Sequence, residues 1–271
     1  MTTSPVVLIT GASSGIGKAT AKRLLQNGYI VYGAARRWEA MEDLRQLGAK
    51  TIRMDITSDE AVREAVDAVI RAESRIDVLV NNAGYGSTGA LEDVPIAEAK
   101  GQFDVNVFGL IRMTQLVLPH MRAQGSGTIV NISSIGGKVA TPLSGWYNAT
   151  KYSVEALSDS LRLEVKRFGV NVVVIEPGGI QTEWSRIAAD NAQRNSGETA
   201  YRSMVNKLIA NFSTYDRKLS HPDVIARLIH RAIRARKPRT RYAAGFGAAP
   251  VLLLRRVMPD WVLDRIILSR F

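Results

Sequence analysis

Tyr147 and Lys151 stand four residues apart in Tyr-Asn-Ala-Thr-Lys, and Ser134 lies thirteen positions before the tyrosine. In a helix, a four-residue step puts both side chains on one face. A free tyrosine, with a pKa of about 10, is a poor base at neutral pH. An ammonium roughly 4 Å away contributes about 4 kcal/mol at an effective dielectric of about 20. That is enough to lower a phenol by about three pH units. Such a phenol can exchange a proton with an alcohol or carbonyl oxygen while hydride moves at the adjoining carbon. A neighbouring serine hydroxyl can polarise the same oxygen. A lone Tyr-x-x-x-Lys is common by chance. Behind a serine and a nucleotide-type glycine turn, it points to hydride transfer at a carbon–oxygen bond.

The glycine turn is Gly11-Ala-Ser-Ser-Gly15-Ile-Gly17, directly after the apolar run Val6–Thr10. Glycines at a strand-to-helix turn let the backbone approach a pyrophosphate, and the helix start supplies N–H groups and positive dipole. Ser13 and Ser14 add hydroxyl donors, and Ile16 opens the helix. The spacing GxxxGxG differs from the common GxGxxG. A phosphate loop of the kinase or NTPase type would need Gly at 12 and Ser or Thr at 19, where this chain has Ala12 and Ala19. The second apolar run ends Ala34-Ala35-Arg36-Arg37 without a carboxylate. Arginine there accommodates a 2′-phosphate, whereas an acid would hold the ribose hydroxyls of NAD. NADP (NADPH) is therefore expected over NAD, although Glu39 follows closely. Asp55 can accept from an adenine amino group while Ile56 packs on the ring. Asn82, Ala83 and Gly84 form a small turn that can lie against the cofactor ribose.

Strand-like runs at Val6–Thr10, Tyr29–Ala35, Lys50–Met54, Val78–Asn81, Thr128–Ile132 and Val170–Glu176 must carry these residues. Between them, Ile16–Gln26, Asp59–Ala72, Gln102–Met121 and Ser153–Phe168 show helical apolar spacing. Strand–helix–strand repetition of this kind makes a parallel sheet covered on both faces, in one domain. Residues 180–220 are polar and punctuated by Asn191, Asn195 and Gly197. Following the sixth strand, they are placed to form a substrate lid.

The chain has 271 residues, 46% of them hydrophobic, enough for one large α/β core. It has no cysteine, which excludes disulfides, thiol nucleophiles and Cys-based zinc sites. No secretory signal is expected before Gly11, and no apolar run approaches the roughly 20 residues of a spanning helix. A cytoplasmic protein is the expectation. Residues 201–271 hold 15 Lys/Arg against 4 Asp/Glu, which accounts for the whole net charge of +11. The bland explanation is a solvated basic face. Contact with an anionic lipid surface or an acidic substrate group comes next, and nucleic acid is not expected, because the chain shows no recognition element. The three histidines lack ligand spacing, so no metal is expected.

Taken together, Thr10–Gly17, Asn81–Gly84, Asn106 in Asp-Val-Asn-Val-Phe-Gly, Ile132–Ser134, Tyr147–Lys151 and Pro177-Gly178 resemble the short-chain dehydrogenase/reductase family in its compact single-domain form. The resemblance spans roughly residues 5–185. It is nearest the hydroxysteroid and retinol dehydrogenase branch, through Arg36 and the stretches Arg75–Gly84 and Gly125–Gly137. It implies a Rossmann-type doubly wound parallel sheet of about seven strands with helices on both faces. It further implies Tyr147 as acid/base, Lys151 lowering its pKa and holding the nicotinamide ribose, Ser134 bonding the substrate oxygen, and Asn106 anchoring a water that relays protons to Lys151. Pro177-Gly178-Gly179-Ile180-Gln181-Thr182 resembles the family's cofactor-closing loop, with Ile180 contacting the nicotinamide through its backbone and Thr182 bonding the carboxamide or a phosphate. A homo-oligomer, dimer or tetramer, is also expected.

Tyr85–Leu91, Ile135–Leu143 and the segment with Trp184, Ile187, Met204 and Phe212 are the expected pocket walls. Their apolar character favours a lipophilic alcohol or carbonyl substrate such as a steroid, a retinoid-like polyene or a modified fatty chain. In the basic amphipathic segment 245–271, Asp260 is expected to cap a helix Trp261–Leu268 with Val262, Leu263, Ile266 and Ile267 on one stripe. That segment packs on the core or a second subunit, or rests peripherally on an anionic membrane. Two other functions compete with an oxidoreductase. A nucleotide-sensing regulator would not need the intact Ser134/Tyr147/Lys151 set. A sugar-nucleotide epimerase or dehydratase fits poorly with the short C-terminal region and the glycine spacing.

Overall fold

The computed structural model describes residues 4–271. One sheet of seven parallel strands is assembled from β1 (Val6–Thr10), β2 (Ile30–Ala35), β3 (Lys50–Arg53), β4 (Val78–Asn81), β5 (Gly127–Ile132), β6 (Val170–Pro177) and β7 (Arg241–Ala244). Their order is β3-β2-β1-β4-β5-β6-β7. The order reverses at β1 and β4, so a crevice opens beyond their carboxyl ends, where such sheets bind ligands.

The helices are α1 (Gly15–Gln26), α2 (Glu42–Gln46), α3 (Asp59–Glu73), α4 (Ile96–Phe103), α5 (Gly109–Gln124), α6 (Gly145–Val165), α7 (Trp184–Ser196), α8 (Arg202–Tyr215), α9 (Asp223–Arg234), α10 (Ala248–Val257) and α11 (Asp260–Leu268). Alternation along β1 divides the core: Val7 and Ile9 enter one layer with Ala21 and Leu24 of α1 and Ile225 and Ile229 of α9. Val6 and Leu8 enter the other with Val62 and Val66 of α3 and Met113 and Val117 of α5. Both faces are therefore covered, as a parallel sheet requires. A third cluster joins Ala90 and Leu143 to Ala192 of α7 and to Val205 and Leu208 of α8.

The six strands expected from apolar runs agree with the structure to within one residue at each end. The helices depart more. The span 102–121 is broken: α4 ends at Phe103, residues Asp104–Phe108 form a π turn, and α5 follows. The helix expected from Ser153 begins at Gly145 instead, which places Tyr147 in its first turn. Its inward face carries buried Asn148, Thr150, Lys151, Glu155 and Ser158, and these polar residues hide the apolar period. The lid segment 180–220 folds into α7 and α8. Asn191 and Asn195, which resemble breakers in the sequence, are helical donors to the carbonyls of Gly86 and Thr88 at 3.1 and 3.0 Å. Asp260 does not cap α11. It is the first helical residue and pairs with Arg255 at 2.7 Å. Of the expected stripe, Leu263 is buried and Ile266 is exposed. Among the described residues, no helix is long and apolar enough to cross a membrane.

Candidate active site

Two turns press together to form the floor of the crevice. Gly11 and Gly15 take left-handed backbone angles, φ +67° and +53°, that disfavour a side chain. A Cβ at Gly17 would lie 2.5 Å from both the Gly11 oxygen and Asn82 Nδ2. Asn82 Nδ2 donates to the carbonyls of Thr10 and Gly11 at 3.0 and 3.2 Å. Thr10 Oγ1 accepts from the backbone N–H groups of Asn82 and Ala83, each at 3.0 Å. The 82–84 turn is thus bolted to the glycine turn.

The start of α1 carries no acidic residue, and Ser14 does not cap it. Its first N–H groups are left to an outside acceptor. Lys18 points elsewhere, to the Ala40 carbonyl and Asp43 at 2.7 and 2.9 Å, so it takes no part in the phosphate turn. Ser13 is nearly buried in the turn, and Ile16 packs against the core.

At the tip of β2 the two arginines differ. Arg36 is exposed and its side chain makes no hydrogen bond or ion pair among the described residues, and its charge helps hold the Asp55 carboxyl down. Arg37 donates to Ser14 Oγ at 3.0 Å and to Glu183 Oε2 at 2.8 Å. It therefore links the tip of β2 to the glycine turn and to the loop after β6. These residues fit a dinucleotide with a 2′-phosphate: close-approach glycines, an uncapped helix start and an unpaired guanidinium.

Asp55 accepts from the backbone N–H and hydroxyl of Thr57 at 3.0 and 2.8 Å, while Ser58 caps α3. The Thr57 N–H is the main cause that lowers the Asp55 pKa. Ile56 is 6% exposed and sits in the core against Gly109. Little of its side chain is left to lie on an adenine.

Ser134, Tyr147 and Lys151 converge where β5 meets α6. Ser134 Oγ accepts from Gly136 N at 3.0 Å and lies with the Tyr147 ring against Gly136. Asn148 holds the connecting loop to the helix through the carbonyls of Gly136 and Val139 at 2.9 and 3.2 Å. Lys151 Nζ donates to the Ile132 carbonyl at 2.9 Å and lies 5.8 Å from the Tyr147 ring centre. Asn106, in the π turn, gives its amide to the Tyr85 carbonyl and Thr150 at 2.9 and 3.1 Å and accepts from Tyr85 N at 3.0 Å. A π turn inside a helix is a frequent marker of a functional site. The Asn106 side chain positions the 85 loop against α6.

The protein's own groups do not by themselves lower the Tyr147 pKa. Burial pushes the Tyr147 phenol up to about 12, only partly offset by the Ser134 hydrogen bond. Burial pushes Lys151 down to about 8, opposed by the Glu155 charge one turn along. The protein's own groups thus keep the tyrosine protonated instead of acidifying it. The ammonium faces the Ile132 carbonyl, and burial dominates the phenol's shift. Beyond Lys151 lies a second charged cluster that the sequence reading missed. Glu155, 4% exposed, meets Lys138 at 2.7 Å and Arg241 at 2.9 Å. Glu176, equally buried, has its carboxyl pushed up to about 7 by burial and by Glu155.

The loop after β6 closes the crevice. Gly178 passes so close to Phe246 that a Cβ would come within 2.4 Å of its carbonyl oxygen. Pro177 ends the strand, and the Ile180 side chain sinks into the core. The Thr182 methyl lies against Gly15, at 3.1 Å from a Cβ built there, and its hydroxyl accepts from Trp184 N at 3.3 Å. Trp184 covers the tyrosine, with ring centres 5.2 Å apart, and meets Phe212 of α8 edge-on at 6.1 Å. The expected lid therefore reaches the reacting position through an aromatic wall. Glu183, which joins this loop to Arg37, has no local signal in the sequence.

Comparison with known proteins adds to this geometry. Residues 5–193 match a family model described as short chain dehydrogenase. A probable short-chain type dehydrogenase/reductase, VdlC, of Helicobacter pylori is 36% identical over 256 residues, 94% of this chain and 93% of that one. A 3-ketodihydrosphingosine reductase of Bacteroides thetaiotaomicron is 44% identical over 177 residues, 65% of this chain and 64% of that one. An NADPH-dependent 3-dehydrocapnine reductase of Ornithobacterium rhinotracheale is 34% identical over 274 residues, 96% of this chain and 94% of that one. Among solved structures, a short-chain dehydrogenase from Streptomyces avermitilis aligns with a TM-score of 0.82 at 33% identity, over 98% of this chain and 96% of that one. A serine dehydrogenase complexed with NADP+ aligns at 0.78 and 26% identity, over 89% and 94%. A Burkholderia phymatum relative in complex with NAD aligns at 0.79 and 26%, over 97% and 95%.

Proposed function

This chain belongs to the short-chain dehydrogenase/reductase family, and we propose that it is an NADPH-dependent reductase of a lipophilic ketone. The observation that carries the proposal is the placing of Ser134 and Tyr147 side by side against Gly136, with Lys151 one turn on, beside the glycine turn. The cofactor would be held by the glycine turn, the start of α1, Arg36 and Lys151, and it supplies hydride at the nicotinamide ring when bound. Arg36, unpaired at the tip of β2, supports NADP over NAD.

The protein's part is to place and protonate the carbonyl oxygen. Ser134 orients that oxygen, and Tyr147, protonated throughout the neutral range, donates to it as negative charge develops. Lys151 keeps a positive charge nearby at pH values below about 8. At neutral pH the phenol therefore carries the proton that reduction of a carbonyl consumes. Trp184 and Phe212 line the approach, and their apolar faces suit a hydrocarbon chain beside the carbonyl.

Two relatives whose names state a substrate are reductases, one of them of the 3-keto group of dihydrosphingosine. That supports a long-chain oxo lipid ahead of a steroid or retinoid. Self-association belongs to the exposed apolar side chains Ile96, Phe108, Tyr152 and Leu163 on α4, the π turn and α6.

The test is NADPH absorbance with the purified chain and a panel of long-chain 3-oxo lipids, steroids and retinoids. NADPH oxidation is expected with a long-chain ketone, and Arg36→Asp should shift the cofactor preference toward NADH. NADPH binding without turnover across the whole panel would instead favour a nucleotide-sensing protein.

A further inference from the structure

We infer that α10 and α11 dock this protein on an anionic lipid bilayer, with the lid of the substrate pocket held beside the membrane surface. Each helix has an anchored side and an outward side. Leu263 is buried, Val251, Val262 and Ile267 are half-buried, and α10 packs against β7 and the turn Ile135–Gly137. Outward stand Leu253 and Val257 of α10, at 61% and 64% exposure, and Trp261 and Leu268 of α11, at 70% and 58%. The spacings 253/257 and 261/268 put each pair on one helical stripe. Single exposed apolar residues are ordinary on a protein surface. Four large ones on two consecutive short helices are not.

Arginines interleave with them. Arg256 follows Leu253 by three positions, and Arg265 lies between Trp261 and Leu268. Both are exposed and neither forms an ion pair among the described residues. Arg255 is used internally, pairing with Asp260 across the joint between the helices at 2.7 Å. An outward stripe of Trp, Leu and Val with arginines in the same rows is the pattern of a helix lying in the plane of a membrane interface. The apolar side chains enter the acyl boundary while the guanidinium groups reach back to head groups.

A second copy of this chain is a poorer occupant. Segment 245–271 has four arginines and two aspartates, and the surrounding residues 201–271 carry the entire net charge of +11. Two copies, each with that excess, repel, whereas an anionic bilayer attracts it.

The tail is also tied to the lid. Asn211 Nδ2 of α8 donates to the Arg270 carbonyl at 2.9 Å, and the Arg270 guanidinium donates to Tyr215 Oη at 3.1 Å. Phe271 packs in the cluster that contains Phe212, which in turn touches Trp184 over Tyr147. A docked tail therefore sets the aromatic wall of the pocket next to the bilayer. The benefit of that placement to a lipid substrate rests on the function proposed above, but the docking surface does not.

The experiment is co-sedimentation of the full chain with vesicles of phosphatidylcholine alone and of phosphatidylcholine mixed with phosphatidylglycerol. Binding to the anionic vesicles should be at least about ten-fold stronger and should be lost at high salt. Trp261→Ser with Leu268→Ser, and separately Arg256→Glu with Arg265→Glu, should each reduce it about ten-fold or more while NADPH affinity stays unchanged. Equal binding to both vesicle types, or binding untouched by either double variant, overturns the inference. So does an oligomer in solution that these variants dissolve, because the face would then be covered by another copy. Vesicle binding intact in a protein with no turnover on any ketone would count against the proposed reductase, not against the docking surface.

Discussion

Glu176→Gln converts a buried carboxyl into its uncharged near-isostere, and its effect on stability should depend on pH in a calculable way. Glu176 is 4% exposed beside Glu155, with Lys138 at 3.9 Å and Arg241 at 3.4 Å. Burial first, and the Glu155 charge second, raise its pKa from 4.5 to about 7 in the folded protein. A carboxyl raised in this way binds its proton more tightly when folded than when unfolded. Its contribution is fully present below pH of about 4.5 and is lost as pH rises through about 7. The gap of about 2.5 pH units corresponds to about 3 kcal/mol, of which about 2 kcal/mol falls between pH 5.5 and 8.5. Urea unfolding of wild type and variant at those two pH values isolates the effect, because titrating groups not coupled to Glu176 cancel between the proteins. The variant should gain about 2 kcal/mol relative to wild type on going from the lower to the higher pH. A stability difference that is the same at both would refute the claim that Glu176 is forced to keep its proton.

Three further outcomes follow from the site. In Gly17→Ala the new Cβ meets the Gly11 oxygen and Asn82 at 2.5 Å, so the variant should lose about 1–3 kcal/mol of stability and bind NADPH at least about ten-fold more weakly by titration. Glu183→Gln frees Arg37 from an exposed ion pair worth up to about 1 kcal/mol, so NADPH should bind up to about five-fold tighter with NADH affinity unchanged. Equal changes for both cofactors would remove Arg37 from 2′-phosphate recognition. Lys151, held near 8, loses its charge as pH rises through that value, so reductase kcat should fall there. Glu155→Gln, which removes the opposing negative charge, should move that fall to lower pH. A kcat that stays level well past pH of about 9 in both proteins would contradict the role given to Lys151.

The strands and the reacting triad were legible because each carries a local signature. Runs of Val and Ile define β1, β4, β5 and β6, and the Tyr147–Lys151 step and Ser134 are read directly from spacing. The helices were harder where the buried face is polar. Asn148, Thr150, Lys151 and Glu155 turn inward on α6, and Asn191 and Asn195 turn inward on α7 to hold loop carbonyls. Such residues erase the apolar period that reveals a helix. β7 was not located, since four residues ending in two alanines give little strand signal. The Arg37–Glu183 clasp joins residues 146 positions apart, and the Glu155/Glu176/Arg241 cluster joins three elements. No local pattern announces either one. The phenol's direction of shift was also beyond the sequence, because it depends on how deeply Tyr147 and Lys151 are buried and where the ammonium points.

The central claim is that Tyr147 delivers the proton, and Tyr147→Phe tests it most directly because only the phenolic oxygen is removed. With NADPH and a ketone that wild type reduces, the account predicts that kcat falls by about 10²–10⁴-fold while NADPH affinity is unchanged. Turnover within a few-fold of wild type would contradict it.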